Sequence, residues 1–184
     1  VVRRKRRGAG IGSSLVQLAV KHLLRMHVKA IGLYSYPQNE AMYNRLGFKT
    51  TDGFATLSMP NSTENFVRRN GKAPLHQILR LDERAFGADR SRLLRRLHRE
   101  FPMRWTWISN KGGVSGYSLV KEYKDSSEIG PLVGERMNRE YLGALVRSSI
   151  ALTKKWPLEM SVPESNSTLT EIAEHLGFRV ERKG

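Results

Sequence analysis

The 184-residue chain contains no cysteine. This absence excludes a disulfide framework, a thiol nucleophile and thiolate metal ligands. The histidines are few and lie far apart, without the spacing of metal ligands. They are His22, His27, His76, His98 and His175. We therefore expect no metal.

Long apolar runs are also absent. No stretch is long enough to cross a bilayer, and the basic residues Arg3 to Arg7 lead into glycines rather than into the apolar segment of a signal peptide. We therefore expect no membrane association and no secretion signal. A chain of this length suits one or two compact domains.

A glycine-rich turn precedes the first long amphipathic pattern. Residues 7–14 read RGAGIGSS. Glycines at positions 8, 10 and 12 let the backbone adopt positive φ angles and approach an anion closely. A helix that begins near Ser13 leaves its first N–H groups unpaired and carries a partial positive charge there. The turn therefore predicts a seat for a diphosphate, with Arg7 adding a charge at its edge.

Spacing separates this turn from two other phosphate-binding loops. A Walker loop needs Lys-Ser or Lys-Thr after its last glycine, where this chain has Ser13-Ser14. The dinucleotide-binding motif Gly-x-Gly-x-x-Gly, counted from Gly8, requires a third glycine where this chain has Ser13. It also requires an acidic residue about 20 positions further on, which is missing. A glycine-rich helix entry without a ligand stays open as an alternative.

The residues after the turn predict a helix, a strand and a second helix. Residues 13–27 form an amphipathic pattern that indicates a helix buried against a sheet. Residues 30–36 predict a strand that stops at Pro37. Residues 39–46 predict a short helix that Gly47 ends as its C′ residue, followed by Phe48.

This order of elements, together with Arg7-x-x-Gly10-x-Gly12 and Leu46-Gly47-Phe48, resembles the coenzyme A-binding half of the GCN5-related N-acetyltransferase (GNAT) superfamily. The resemblance implies an acyl-CoA N-acyltransferase fold, of the α/β class with a mixed sheet. It also implies acetyl-CoA as co-substrate and direct transfer to an amine of a small molecule or peptide. A cytoplasmic location is expected, and the oligomeric state is left open.

The resemblance also assigns roles to residues. Tyr43, four positions before Gly47, would protonate the departing thiolate, and a phenol close to the sulfur can do so. Asn39 would contact the pantetheine arm. The alternatives are a core tyrosine and a simple N-cap asparagine. The pyrophosphate would be held by Arg7, Gly8, Ala9, Gly10, Ile11, Gly12 and Ser13.

A second, altered copy of the pattern occupies the rest of the chain. Residues 28–49 and 156–179 each read as a strand, a proline, an asparagine, a helix and Leu-Gly-Phe. The second copy has Gly134-Glu135-Arg136-Met137-Asn138 in place of the glycine loop and Ala173 in place of Tyr43. This resembles tandem acetyltransferases whose C-terminal copy is degenerate, and we expect no coenzyme A there.

Three segments are expected: residues 1–59 as the C-terminal half of a GNAT domain, 60–74 as a linker and 75–184 as the degenerate copy. The elements predicted in the last segment start with a strand at 75–81 and a helix at 88–101. An antiparallel hairpin follows at 105–108 and 116–120. Next come a strand at 129–133, a helix at 138–154, a strand at 158–162, a helix ending at Leu176 and a strand at 178–180.

The strongly positive charge suggests a rival function. The chain has 32 Lys and Arg against 17 Asp and Glu, a net charge of +15. Basic clusters lie at residues 3–7, 68–69 and 90–104, and could bind nucleic acid. However, coenzyme A is itself polyanionic, and Arg92, Arg95, Arg96 and Arg99 fit the solvated face of a helix. Because no nucleic-acid-binding motif accompanies them, the sequence argues against a nucleic-acid partner.

The beginning of the chain raises one further alternative. In the superfamily, strands that carry the acceptor pocket and the general base precede the glycine loop, whereas this sequence begins at Val1 without methionine. We expect that residue 1 is not the start of the natural domain, or that the gene model is truncated. A decayed acetyltransferase-fold protein without activity is therefore a second interpretation, and no general base is assigned.

Overall fold

A computed structural model describes residues 2–62, 73–135 and 138–183, with Arg182 and Lys183 described by their backbone alone. The chain divides into an N-terminal unit, Val1–Gly53, and a C-terminal unit, Phe54–Lys183. The predicted linker at 60–74 lies mostly outside the described residues, as do Arg68, Arg69, Arg136 and Met137. No helix among the described residues is long and apolar enough to span a membrane.

The N-terminal unit contains two helices. Helix α1 spans Ile11–Arg25, and helix α2 spans Glu40–Arg45 after a 3₁₀ turn at Pro37–Asn39. A second 3₁₀ turn, Arg4–Arg6, precedes the glycine loop. Both helices were predicted from the sequence, α1 with its start two residues later than observed.

Two expectations for this unit are wrong. Helix α1 has no buried residue, and Leu15, Leu18 and Leu24 are each more than half exposed, so the helix is not packed into a core. Residues 30–36 form no strand. A strand needs the hydrogen bonds of a neighbour, and the described part of this unit contains no strand that could supply them.

The C-terminal unit is built on a six-stranded mixed sheet, which confirms the predicted α/β class. The strands are β1 (Phe54–Met59), β2 (Trp105–Asn110), β3 (Gly113–Glu122), β4 (Ser127–Gly134), β5 (Leu158–Pro163) and β6 (Arg179–Lys183). Their order is β2-β3-β4-β5-β1-β6, and all pairs are antiparallel except β4 with β5. The predicted hairpin corresponds to β2 and β3.

Strand β1 lies inside this sheet, between β5 and the edge strand β6, although it comes first in the chain. Leu57 pairs with Met160 of β5 on one side and with Val180 of β6 on the other. Its side chain is fully buried. The strand therefore completes the sheet of the C-terminal unit, whereas residues 54–59 were expected to belong with the first segment.

Four helices cover the two faces of the sheet. They are α3 (Leu75–Phe86), α4 (Ser91–Glu100), α5 (Arg139–Leu152) and α6 (Ser167–His175). The predicted strand at 75–81 is wrong, because these residues form the start of α3. Leu75, Ile78 and Leu79 recur at helical spacing, and Ile78 is fully buried in the core.

Two separate apolar clusters make the core. One joins α5 and α6 to β1 and β5, and the other joins α3 and α4 to β2 and β3. Strand β3 contributes to both, since Tyr117 and Leu119 enter the second cluster while Val120 enters the first. Coverage on both faces explains why residues 117–120 are all buried.

Candidate functional site

The glycine loop reaches α1 through two left-handed residues. Gly8 has φ +84° and Gly10 has φ +74°, a region that residues with a side chain adopt at a cost. A Cβ built on either glycine would meet no atom within 4 Å. The backbone conformation, rather than crowding, therefore calls for glycine at both positions, and the space in front of them is open.

The N–H groups of the loop are unpaired. The first helical hydrogen bond runs from Ser14 N to Gly10 O at 3.0 Å, and no side chain caps α1. Within the part of the chain that the structure describes, none of the backbone N–H groups of residues 8–13 donates a hydrogen bond. Six consecutive donors thus remain available at the positive end of a 15-residue helix.

Arg7 lies at the edge of this loop and is exposed. Its Nε donates to Val2 O at 3.3 Å, which ties the guanidinium to the chain just before the 3₁₀ turn. The two terminal nitrogens form no hydrogen bond among the described residues. Arg7 can therefore add a full positive charge to the partial charge of the helix end.

The equivalent helix start in the C-terminal unit is capped by a side chain. The Asn138 side chain accepts a hydrogen bond from Tyr141 N at 2.9 Å and so caps α5. Glu135, three residues earlier, carries a carboxylate that forms an ion pair with Arg84 at 2.8 Å. A capped helix preceded by a carboxylate is a less favourable site for a diphosphate than the uncapped start of α1.

Tyr43 is oriented by the end of α2. Gly47, at φ +88°, follows the helix, and the bonds Phe48 N to Tyr43 O (3.1 Å) and Gly47 N to Asn44 O (3.0 Å) form a Schellman motif. The half-buried Tyr43 ring meets the Phe48 ring edge-on, with centroids 5.8 Å apart. No hydrogen bond joins Tyr43 to the glycine loop in the described residues.

The same motif ends α6 in the C-terminal unit. Phe178 N donates to Ala173 O at 3.0 Å, and Gly177 has φ +96°. Ala173 thus occupies the position that Tyr43 has in the first copy. At the end of the helix, the repeat read from the sequence is therefore also a repeat of local structure, in which the phenol occurs once.

Asn39 behaves differently from its counterpart. Asn166 caps α6 by accepting a hydrogen bond from Leu169 N at 3.2 Å. Asn39 precedes α2 but forms no capping bond, because it is the last residue of the 3₁₀ turn, which holds its backbone at φ −100°, ψ −6°. Its exposed amide has no hydrogen-bond partner in the described part of the chain.

An open groove of about 440 Å³ runs along α1 beside the end of α2. None of the predicted site residues lines it. The lining residues are Val16, Gln17, Val20, Lys21, Leu24, Arg25 and Leu46. Among the described residues, no group of three or more His, Asp or Glu side chains could hold a metal ion.

A buried polar cluster in the C-terminal unit was not predicted from the sequence. Asp82, 1% exposed, accepts hydrogen bonds from Arg90 Nε at 3.0 Å and from the Tyr117 hydroxyl. Burial, together with the Asp82 carboxylate, raises the pKa of Tyr117. Burial lowers the pKa of Arg90, but the hydrogen bond to Asp82 and the charge of its carboxylate, with smaller contributions from Tyr117, together outweigh burial, so the pKa of Arg90 is raised. The position of Asp82 among the apolar residues of α3 was the sequence feature that could have indicated this cluster.

Two family models match the chain. A model described as an acetyltransferase (GNAT) domain matches residues 78–183, and one described as the acetyltransferase (GNAT) family matches residues 1–48. Among curated proteins, none matches the chain.

Solved structures share the fold at low sequence identity. A Pyrococcus horikoshii protein classed as an acetyltransferase has a TM-score of 0.68 and 20% identity, over 99% of this chain and 60% of that one. A GCN5-related N-acetyltransferase from Sphaerobacter thermophilus has a TM-score of 0.63 and 18% identity, over 99% and 68%. A tandem GNAT protein from the clavulanic acid biosynthesis pathway has a TM-score of 0.56 and 18% identity, over 100% and 70%.

Proposed function

Because the chain belongs to the GNAT acetyltransferase family, we propose that it transfers an acetyl group from acetyl-CoA to a primary amine of a small molecule or peptide. The first copy holds the site. The observation that carries this proposal is the row of six unpaired N–H groups at residues 8–13, in front of an uncapped helix. The relatives are longer, since this chain spans 60% of the Pyrococcus horikoshii protein.

In this proposal the glycine loop holds the pyrophosphate. Backbone N–H groups that converge at a helix N-terminus bind phosphate oxygens without any side-chain rearrangement. Gly8 and Gly10 keep the space open, and Arg7 supplies a charged donor. The exposed amide of Asn39 donates to, or accepts from, the polar groups of the pantetheine arm.

Transfer then proceeds by direct attack of a neutral amine on the thioester carbon. The new N–C bond forms as the C–S bond breaks, and the leaving thiolate takes the proton of the Tyr43 hydroxyl. The proton lost by the amine goes to a base that we do not assign. The edge-on contact with Phe48 restricts the Tyr43 ring and therefore fixes the direction of its hydroxyl.

We also keep the segments 1–59, 60–74 and 75–184 as a proposal about the two copies in the sequence, although strand β1 of the first segment pairs within the sheet of the C-terminal unit. A cytoplasmic location is part of the same proposal. The second copy has a structural role. It has a capped helix start and an alanine at the tyrosine position, and both features support a copy that does not bind coenzyme A.

A second candidate is a protein that retains the fold and the ligand site but has lost transfer. The observation in its favour is the N-terminal unit, where α1 has no buried residue and the described residues form no strand. Such a unit offers the diphosphate seat without an evident acceptor pocket.

Two measurements on the full chain separate these candidates. A ligand that binds the folded state raises Tm, so acetyl-CoA is expected to shift the melting temperature under both candidates. Free coenzyme A released in the presence of primary amines is then measured with a thiol reagent. The chain has no cysteine, so the protein gives no background. Release of coenzyme A above the uncatalysed rate supports the enzyme, and a Tm shift without release supports the decayed form. If there is no Tm shift and no release, the proposed coenzyme A site is refuted.

A further inference from the structure

Helix α4 carries a row of arginines that the proposed transfer does not use. Arg92, Arg95, Arg96 and Arg99 follow the i, i+3, i+4, i+7 spacing and so share one face of the helix. All four are exposed. We call this face, made of these four residues, the arginine row.

The row is nearly free of negative partners. In the described part of the chain, Arg96 pairs with Glu100 at 2.9 Å, while the other three guanidinium groups form no ion pair or hydrogen bond. Arg95 also interacts with Asp89, whose pKa is lowered mainly by hydrogen bonds from Ser91 and to a smaller extent by the charge of Arg95. The Asp89 carboxylate itself accepts a hydrogen bond from Ser91 N at 2.7 Å.

Such a row has a cost to the helix. Like charges three or four residues apart repel one another, and the row contains four such neighbour pairs. A helix face that only contacts water usually carries side chains of both charges. On α5, for example, exposed Arg139 and Glu140 are adjacent, and Arg139 forms an ion pair with Glu171. A uniformly positive row therefore favours an anionic partner.

The chemistry of the row favours phosphodiesters. All four cations are arginines, whose planar guanidinium groups bind phosphate oxygens in pairs, whereas lysine acts as a point charge. At 1.5 Å per residue the row is roughly 10 Å long, which matches the axial rise of about three nucleotides of one nucleic-acid strand. The net charge of +15 adds a long-range attraction of the same sign.

The apolar side of α4 argues against a membrane surface. A helix that lies in a lipid interface must leave its apolar face free to enter the acyl region. Leu94 is 1% exposed, and Leu97 packs against the same core cluster. Leu93 alone among the apolar side chains of α4 is half exposed, too little for insertion.

We propose that the arginine row binds the phosphate backbone of nucleic acid without reading its sequence. This reverses the expectation drawn from the sequence, because the structure shows the arginines on one exposed face with a single ion pair among them. The proposal does not depend on the acetyl-CoA site.

The test measures binding of the full chain to a fluorescent 20-base-pair DNA duplex at several salt concentrations. The variant Arg92→Gln/Arg95→Gln/Arg99→Gln removes three charges and leaves the Arg96–Glu100 pair. A plot of the logarithm of its association constant against the logarithm of the salt concentration is expected to have a slope that is smaller in magnitude by about 2.7. This value corresponds to about 0.9 for each of the three phosphates that are no longer neutralised. An Arg→Lys variant at the same positions should keep the slope and bind several-fold more weakly.

The matched control is Arg147→Gln/Lys154→Gln/Lys155→Gln, which removes three exposed charges elsewhere in the same unit. Its slope is expected to change by less than about 1, the effect of one phosphate. An equal change in the control would overturn the proposal, since net charge alone would then explain binding. Absence of duplex binding by the wild-type chain at 100 mM salt would also overturn it. So would row-dependent binding to phosphatidylserine vesicles without duplex binding.

Discussion

The Phe48 ring meets the Tyr43 ring at 81°, with 5.8 Å between centroids. The two residues are also joined through the backbone, because Phe48 N donates to Tyr43 O at 3.1 Å. Together these contacts connect the Leu-Gly-Phe sequence to the phenol four residues before its glycine. A sequence motif that ends a helix thus also orients the proposed acid.

Replacing Tyr43 by Phe should remove the acid and keep the ring contact. We expect kcat to fall by roughly 10² to 10⁴, the usual contribution of a general acid, while the Kd of acetyl-CoA stays unchanged. Stopped assays of thiol release and calorimetric titration measure the two quantities. Tyr34→Phe, at an exposed tyrosine of the same unit, is the control and should retain full activity. Equal kcat values for wild type and Tyr43→Phe would remove Tyr43 from the mechanism.

Asn39 and Asn166 should respond in opposite ways to alanine. Asn166→Ala removes a helix cap and should cost about 1 kcal/mol of stability without changing acetyl-CoA affinity. Asn39→Ala removes no cap, so stability should hold within about 0.5 kcal/mol, while acetyl-CoA binds roughly 2- to 10-fold more weakly, the equivalent of one hydrogen bond. Urea denaturation and calorimetry separate the effects. Unchanged affinity in Asn39→Ala would exclude the pantetheine contact.

Strand β1 should be essential to the C-terminal unit. Leu57→Ala leaves a cavity beside β5 and β6 and should cost about 2–5 kcal/mol. Leu18→Ala makes the same change on α1 of the N-terminal unit, where the side chain is 65% exposed, and should change the stability of the C-terminal unit by less than about 0.5 kcal/mol. Tryptophan fluorescence reports on this unit alone, since Trp105, Trp107 and Trp156 all belong to it. Equal midpoints in urea would show that β1 contributes little.

Tyr117 should make the C-terminal unit sensitive to alkali. Burial and the Asp82 carboxylate raise its pKa in the folded state, so the folded state holds the proton more tightly than the unfolded chain. The associated stability is present below about pH 10 and is lost above it, at about 1.4 kcal/mol per pH unit.

Tyr117→Phe lacks this titration, so its stability should fall less steeply than that of the wild type above about pH 10. At pH 7 the variant should be less stable by about 1.5–3 kcal/mol, because the hydrogen bond to Asp82 is missing. Urea denaturation from pH 7 to 11, followed by tryptophan fluorescence, measures both effects. Parallel pH curves for the two proteins would contradict the shift.

Local patterns in the sequence predicted most helices and the hairpin. Gly47 ends α2 as predicted, and Gly177 follows α6 in the same way, because a left-handed C′ position selects glycine through local sterics. The α3 segment was mistaken for a strand, since its run at 75–81 is short and the buried partner of Asp82 lies 35 residues away in β3. Short apolar runs do not distinguish the two structures.

The placement of strands depended on partners that a local pattern does not contain. Residues 30–36 have the composition of a strand, yet no neighbour pairs with them in the described N-terminal unit. Residues 54–59 instead pair with β5 and β6, which lie more than 90 positions later in the chain. The residues of the candidate site were predicted from the family resemblance and from motif spacing. The contrast between the uncapped start of α1 and the capped start of α5 was visible only in the structure.

The diphosphate seat is tested most directly by calorimetric titration of acetyl-CoA into a matched pair of variants, Gly10→Asp and Gly10→Asn. Both side chains tolerate the left-handed backbone at φ +74° and have nearly the same shape, so the pair differs mainly in charge. Gly32→Asp adds the same charge at an exposed glycine of the same unit, where a Cβ meets nothing within 4 Å. We predict at least tenfold weaker binding for Gly10→Asp than for Gly10→Asn, and wild-type binding for Gly32→Asp. Equal affinities of the Gly10 pair, or an equally weakened Gly32→Asp, would contradict a diphosphate held by this loop.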